Sequence, residues 1–347
     1  MTDIWDRISD PSRVYIIAEA GVNHNGSIEM ALNLIEEAAK SGADCVKFQS
    51  FKAERVASAI APKANYQLIT SDPHESQIDM LKKLELPEKS YEILNQRSDE
   101  LGIDLFSTPY NFADVDLLLD HGFPAFKIAS GQIVELPFIK YVASKMRPII
   151  LSTGMATMQE IKEAVNVLRN FGNNKFVLLQ CNTNYPSKIE DANLRVIPVL
   201  KRKFSNPVGY SDHTLGNLCC IAATAIGAVV IEKHFTLDKS LPGPDQSTSA
   251  DPLEMRMLID EIREVETTLG SKKKIPTKSE RSNTPAMRRS ISARVDIQAG
   301  TIIEESMLDF IRPSTGLPPK FWNKVVGSKA TSDIKKGTLI GETDFEQ

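Results

Sequence analysis

Polar and ionisable residues recur in this chain at one kind of place, the end of a short β-forming run. The first run closes with Glu19 and leads into Asn23-His-Asn-Gly26, the second carries Lys47 and Gln49, and the third ends Ser107-Thr-Pro109. The fourth reads Phe126-Lys-Ile-Ala-Ser-Gly-Gln132, the fifth Ser152-Thr-Gly-Met155 and the sixth Cys181-Asn-Thr-Asn-Tyr-Pro186. The seventh closes Tyr210-Ser-Asp-His213 and the eighth Glu232-Lys-His-Phe235. Val46 and Phe48 flank Lys47, and Phe126 and Ile128 flank Lys127. Alternate strand residues face opposite sides, so if the apolar neighbours pack on helices both lysines point the other way. A lysine snorkelling at a rim is the plain alternative for either one.

Two inward ammonium groups, together with the hydroxyls of Thr108, Ser130, Ser152 and Ser211, suit a ligand bearing both a phosphate and a carboxylate. Phosphoenolpyruvate is such a ligand. A single Ser-Thr-Gly is ordinary turn chemistry, and the weight lies in its recurrence on many runs. His213 and His234 end consecutive runs, which are neighbours in a barrel, so their imidazoles can meet on one divalent ion. Their spacing makes no ligand motif, and hydrogen-bonded core histidines are the competing reading. Glu232 shares the parity of His234 and is placed to orient it. A mixed imidazole and oxygen site with open positions suits manganese, with magnesium also possible.

The elements that must position these groups alternate strand and helix from Val14 to about Leu269. The runs are Val14–Glu19, Cys45–Gln49, Asp104–Ser107, Ala125–Ile128, Pro148–Ser152, Phe176–Gln180, Pro207–Tyr210 and Val229–His234. Helical stretches intervene, as in Ser27–Ser41 with its apolar face of Ile28, Ala31, Leu32, Ile35 and Ala38. Eight such units predict an α/β fold, a closed (β/α)8 TIM barrel; an open doubly wound sheet would show a G-x-G-x-x-G turn after the first strand, and none follows. Ala53–Gln77 reads as an elaborated loop over the barrel mouth, a candidate substrate lid.

The 347 residues exceed one ordinary compact domain. We assign 1–270 to the barrel, the polar 271–289 to a linker and 290–347 to a second, β-rich domain. That last segment holds two similar phrases, Asp296-Ile-Gln-Ala-Gly-Thr301 and Asp333-Ile-Lys-Lys-Gly-Thr338, which predict internal pseudo-symmetry. A formal charge of -4 offers no cationic field for nucleic acid. Cys45, Cys181, Cys219 and Cys220 have neither finger spacing nor disulfide density and read as buried thiols. No apolar run is long enough to span a membrane, and the N-terminus lacks a signal-peptide core, so a cytoplasmic protein is expected.

Ala18-Glu-Ala-Gly-Val-Asn-His-Asn-Gly26, Val46-Lys-Phe-Gln49, Leu151-Ser-Thr-Gly-Met155, Gly209-Tyr-Ser-Asp-His213, Ile231-Glu-Lys-His-Phe235 and Gly243-Pro-Asp245 together resemble the sialic acid synthase family. That family comprises the N-acetylneuraminate, legionaminate and pseudaminate synthases. The resemblance covers nearly the whole chain, and the C-terminal segment is similar to the family's antifreeze-like (SAF, β-clip) domain. It implies condensation of phosphoenolpyruvate with an N-acylated mannosamine-type aldose and water, giving a nonulosonic acid and phosphate. Lys47, Thr108, Lys127, Ser130, Ser152, Thr183, Tyr185 and Ser211 would hold phosphoenolpyruvate, and His213 with His234 the metal. Gln49, Asn65, Tyr185, Asp245 and Arg312 would meet the sugar, Arg312 from the partner subunit of a domain-swapped homodimer. Glu19, Lys127, Gln132 and Asp245 would carry the catalytic work.

Two positions depart from the family pattern. Gln132 stands where a glutamate is usual and cannot transfer a proton near neutral pH, and Thr183 replaces an asparagine common in N-acetylneuraminate enzymes. Outside the condensation, a Schiff-base aldolase using Lys47 or Lys127 and a non-catalytic carbohydrate-binding barrel are the rival readings. Lid phrases Ala61-Pro-Lys-Ala-Asn-Tyr-Gln67 and Glu75-Ser-Gln77 lean toward the legionaminate branch. N-acetylmannosamine and 2,4-diacetamido-2,4,6-trideoxymannose both stand as acceptors.

Overall fold

The computed structural model describes residues 3–72 and 74–347, with Asn65, Tyr66 and Ile69 described in backbone alone. Two compact units divide at Gly270 and Ser271. In the first, eight parallel strands close into a barrel: β1 (Tyr15–Gly21), β2 (Cys45–Ser50), β3 (Asp104–Pro109), β4 (Phe126–Ile128), β5 (Ile149–Ser152), β6 (Phe176–Cys181), β7 (Val208–Asp212) and β8 (Val230–His234). β8 returns to β1 with Glu19 opposite His234. The fold class is the one the alternation of runs predicts.

Strand parity divides the apolar residues into two cores. Ile16, Ala18, Val46, Phe48, Phe126, Ile128 and Leu151 face the helices. Tyr15, Ile17, Cys45, Phe106, Ala125, Ile150, Val177, Leu179 and Val230 fill the barrel interior. Going along any strand, the inner face is apolar first and polar last: Tyr15 and Ile17 lead to Glu19, Cys45 to Lys47 and Gln49, Phe106 to Thr108. Apolar burial of about 25 cal/mol per Å² closes the lower half, and the functional groups stand on that packed floor. Gly209 of β7 is part of this floor, because Leu179 and Val230 occupy the space its side chain would need. A Cβ there would lie 2.4 Å from the Val230 carbonyl oxygen and 2.6 Å from Leu179 Cδ2.

Helix Ile28–Ser41 is capped by Ser27 Oγ, which accepts from Met30 N at 3.2 Å, and stops at Gly42. It buries Ala31, Leu34, Ile35 and Ala38. The stripe is therefore centred on Leu34, with Ile28 and Leu32 on its border rather than at its middle. The lid segment also differs from a plain loop, since it forms short helices at Ala53–Val56, Asn65–Thr70 and Gln77–Lys82. Helices this short have no stability of their own. Lys63 ties them together: its buried ammonium donates to Ser71 Oγ at 3.0 Å, the Asp72 carbonyl at 2.6 Å and Glu75 Oε1 at 3.3 Å.

The second unit opens with helix Lys278–Met287, capped by Thr277 and burying none of its residues, which is why no hydrophobic period marks it in the sequence. β9 (Ser290–Ala293) pairs antiparallel with β10 (Leu308–Ile311), and β11 (Lys329–Ala330) with β12 (Phe345–Glu346). The two similar phrases meet each other. Ile297 and Ile334 exchange backbone hydrogen bonds of 2.8 Å in both directions. Asp333 Oδ1 accepts from Ala299 N at 2.8 Å, and Asp296 Oδ1 accepts from Lys336 N at 2.7 Å. Gly300 and Gly337 end the two turns at φ of 82° and 83°, a conformation that side chains resist. The Gly209→Ala substitution in the barrel floor is expected to lower stability by about 1–3 kcal/mol through overpacking, read from the urea midpoint at unchanged slope.

Candidate active site

A cavity of about 330 Å³ opens at the C-terminal end of the barrel. Its wall contains Glu19, Lys47, Gln49, Thr108, Lys127, Ser130, Gln132, Ser152, Thr183, Tyr185, Ser211, His213, His234 and Asp245, so these residues selected from the sequence converge on one site. The side chain of Asn65 lies outside the described residues. Arg312 is exposed in the second unit, where its Nε donates to the Met287 carbonyl at 3.2 Å.

Both lysines are buried and point inward, and neither snorkels. Lys47 Nζ lies 2.5 Å from Glu19 Oε2 and 3.8 Å from Glu232 Oε2, and donates to Thr108 Oγ1 at 3.2 Å. Lys127 Nζ lies 3.2 Å from Glu232 Oε1, which also accepts from Ser211 Oγ at 3.0 Å. Two cations and two carboxylates thus form a box whose side chains are at most 6% exposed. Burial alone would raise the carboxyl of Glu232, but Lys127 and Lys47 reverse this and hold it well below the usual range. Glu19 moves up, because burial and the charge of Glu232 outweigh Lys47. Burial pulls Lys47 down, yet Glu19 and Glu232 carry it above its ordinary value. Lys127 moves down through burial and the charge of Lys47, only partly offset by Glu232.

Around this box stand hydroxyl and amide donors. Gly154 N donates to Ser130 Oγ at 3.0 Å, drawing the loops after β4 and β5 together. A Cβ on Gly154 would come within 2.7 Å of Ser130 Oγ and 2.4 Å of Thr183 Oγ1, so glycine lets the loop after β6 close in as well. Ser152 Oγ, Asp245 Oδ1 and His234 Nδ1 are buried without a hydrogen-bond partner among the described residues. Buried polar atoms are rarely left so, and those facing a cavity are explained by a ligand that completes them. Asp245 is pushed up to about 6 by burial and by the charge of Glu19.

Contacts revise two roles read from sequence and give one to a turn that had none. Gln132 is not free for chemistry: Oε1 accepts from Ala129 N and Nε2 donates to the Pro109 carbonyl, each at 3.1 Å, stapling the exits of β3 and β4. Glu232 does not orient His234; it serves the lysines. The Asn23-His-Asn-Gly26 turn is architectural, with Asn23 Nδ2 donating to the Phe235 carbonyl at 2.8 Å and His24 Nδ1 accepting from Gly26 N at 3.0 Å. Burial lowers His24 to about 4.

His213 and His234 do come together, with ring centroids 5.3 Å apart and the Tyr185 ring tilted over His213 at 4.1 Å. His213 Nδ1 donates to the Asn182 carbonyl, which fixes the ring and leaves Nε2 as the nitrogen that could face a ligand. His234 is driven well below its ordinary value by burial, His213 and Lys47, and so presents a neutral imidazole. No group of three or more His, Cys, Asp or Glu side chains placed for one ion occurs among the described residues. The imidazole pair, with His234 Nδ1 buried and unpartnered among the described residues, offers at most two nitrogen donors to a cation, whose remaining positions would fall to substrate and water oxygens.

The sequence reading placed Val56, Gln67 and Gln77 in the candidate lid but missed the rest of the cavity lining, Val22, Phe51, Met80, Leu81, Leu84 and Tyr110. Tyr110 directly follows a strand end and was findable there; its hydroxyl donates to Gln49 Oε1 at 3.1 Å. Of the others, Met80 and Leu81 come from the short helix Gln77–Lys82, which no strand end announces. All four cysteines are free and buried.

A closed parallel barrel whose mouth gathers two buried lysines, two carboxylates and two imidazoles around one cavity is the architecture of a barrel enzyme. The NeuB family profile matches residues 34–274 and the SAF domain profile residues 288–346, and the chain belongs to the NeuB family of sialic acid synthases. N,N'-diacetyllegionaminic acid synthase of Campylobacter jejuni is 46% identical over 332 residues, spanning 95% of this chain and 99% of that protein. Pseudaminic acid synthase of Campylobacter jejuni is 37% identical over 345 residues, spanning 96% and 97%. The crystal structure of N-acetylneuraminic acid synthetase from Leptospira borgpetersenii in complex with citrate aligns with a TM-score of 0.70 at 34% identity, over 79% of this chain and 90% of that one. The family is one of transferases that condense phosphoenolpyruvate with an amino sugar in a divalent-metal-dependent reaction. No helix among the described residues is long and apolar enough to cross a membrane.

In urea unfolding, the Lys127→Met and Glu232→Gln substitutions are expected to be non-additive, with a coupling on the order of 1–3 kcal/mol in the double-mutant cycle. Additive losses would mean that the two charges do not sense each other.

Proposed function

We propose that this enzyme condenses phosphoenolpyruvate with 2,4-diacetamido-2,4,6-trideoxymannose and water to give N,N'-diacetyllegionaminate and phosphate. The observation that carries the choice of acceptor is the apolar part of the cavity lining, Val22, Phe51, Met80, Leu81 and Leu84, of which Val22, Phe51, Leu81 and Leu84 pack as one cluster. A 6-deoxy sugar with two acetamido groups presents methyl surfaces to such a wall, whereas the polyol tail of N-acetylmannosamine would lose hydration there without replacement. The 46% identity to a protein named for the same product supports the reading.

In this reading Lys47, Lys127, Thr108, Ser130, Ser152, Thr183 and Ser211 hold the phosphate and carboxylate, with Tyr185 lying over His213. Because carboxylates already surround the lysines, the ammonium charge is in place before the anion arrives. His213 and His234 would hold a divalent cation, Mn2+ in this reading, which when bound would supply Lewis-acid polarisation at the acceptor aldehyde. Gln49, Asn65 and Asp245 orient the open-chain sugar so that its C1 faces C3 of the enol ester. Carbon–carbon bond formation leaves cationic character at C2, water adds there, and the C2–O bond breaks to release phosphate. Glu19 and Asp245, both raised by burial, hold and return the protons exchanged with the new hydroxyl and the attacking water. Alignment of the two reactants and preset charge each contribute on the order of several kcal/mol. A cytoplasmic homodimer completes the proposal, with Arg312 of one protomer reaching the sugar in the other; four free thiols agree with a reducing compartment.

Phosphate release should require acceptor, with kcat/KM at least about tenfold higher for the diacetamido sugar than for N-acetylmannosamine, the size of a few buried methyl contacts. Equal values would remove the acceptor assignment. Lys127→Ala should lower kcat/KM by about 100-fold or more, EDTA should abolish turnover, and pyruvate with borohydride should label nothing; covalent labelling with EDTA-resistant activity would instead indicate a Schiff base. Arg312→Ala should raise the acceptor KM and leave binding of phosphoenolpyruvate unchanged, measured by steady-state kinetics and calorimetry.

A further inference from the structure

The two histidines occupy the ends of neighbouring strands, and the residues immediately before them form a buried ion pair on the other side of the sheet. Asp212 and Lys233 are register partners on β7 and β8. Strand alternation turns their side chains away from the cavity while His213 and His234 turn into it. Lys233 Nζ lies 2.7 Å from Asp212 Oδ2, with side-chain exposures of 6% and 0%. The same ammonium donates to the carbonyl of Thr214 at 2.9 Å. Asp212 Oδ1 in turn accepts from Thr214 N at 2.9 Å, Thr214 Oγ1 at 2.8 Å and the Tyr210 hydroxyl at 3.1 Å, and Oδ2 accepts from Cys220 Sγ at 3.2 Å.

One side chain therefore grips both residues that flank His213 and is itself covalently adjacent to His234. A buried ion pair costs several kcal/mol of desolvation per ion and is commonly no more stabilising than apolar residues of the same volume, so its best-attested use is to fix register. Here the register being fixed is the distance between two imidazoles. Of the backbone bonds on these histidines, the His213 carbonyl accepts from Ser187 N and the His234 carbonyl from Ala250 N, each at 2.8 Å, and neither joins one histidine to the other.

We propose that Lys233, through Asp212 and Thr214, is a positioning residue that sets the spacing of His213 and His234 for a shared divalent cation. The inference rests on the reading that those histidines hold the metal, and it assigns the geometry of that site to a group that never touches it.

The test is Mn2+ binding to the full-length chain, followed by titration calorimetry and by the electron-spin signal of free Mn2+. In Lys233→Met the affinity is expected to fall about 10- to 100-fold, with wild-type circular dichroism and unchanged phosphoenolpyruvate binding in EDTA. Lys233→Arg, which keeps the charge and donors, should recover part of the loss. A folded Lys233→Met chain that binds Mn2+ as the wild type does overturns the proposal. If Lys233→Met fails to fold, the isosteric Thr214→Val, which removes only the hydroxyl bond to Asp212, decides the matter: weakened Mn2+ binding supports the proposal and unchanged binding overturns it. A wild-type chain that binds no Mn2+ at all overturns the underlying metal reading, and this inference falls with it.

Discussion

Four buried charges govern this molecule: Lys47 and Lys127 against Glu19 and Glu232. A bare ammonium inside a barrel would lose its proton rather than remain charged. Paired with carboxylates it stays cationic, and in the proposed reaction the anionic substrate would meet charge that needs no reorganisation. The rest of the first unit follows from housing that box. The inner face must be apolar below it, so that the barrel closes on Tyr15, Ile17, Phe106 and their neighbours, and polar above it, where the strands end. The helices outside then need nothing more than the complementary stripe of each strand's opposite face.

Much of this was legible without coordinates. Parity alone sent Lys47 and Lys127 inward, because Val46, Phe48, Phe126 and Ile128 leave no other direction, and strand-end clustering selected the residues of the cavity. The repeat of Asp-Ile-x-x-Gly-Thr foretold internal pseudo-symmetry, and the structure adds that the two phrases pair reciprocally through Asp296 and Asp333. What escaped was anything whose role depends on a partner distant in sequence. Glu232 looked like an aid to His234 because both share a face, yet its neighbours are set by how β2, β4 and β8 converge. The apolar wall escaped for a different reason: four- and six-residue helices are too short to show a period, and Lys63, which ties the segment together, resembles any surface lysine until its burial is seen.

Placing an ion pair behind the imidazoles and a charge box in front of them gives β7 and β8 contrasting faces. On one, charge is arranged to be met by substrate; on the other, it is neutralised within the protein. The same alternation that builds an ordinary barrel core is here used to keep two electrostatic environments apart by the thickness of a single sheet.

The amide of Gln132 carries one more implication. Its two ends are matched to a backbone donor and a backbone acceptor, a complementarity that an ionised carboxyl at the same spot could not offer, since one of its oxygens would oppose the Pro109 carbonyl. An amide keeps this junction intact in alkali as in acid, so the shape of the anion cradle is insulated from the proton traffic of the reaction. Scaffolding at the exits of β3 and β4 thus rests on a side chain that does not titrate, while the ionisable groups of the cavity wall carry no part of that junction.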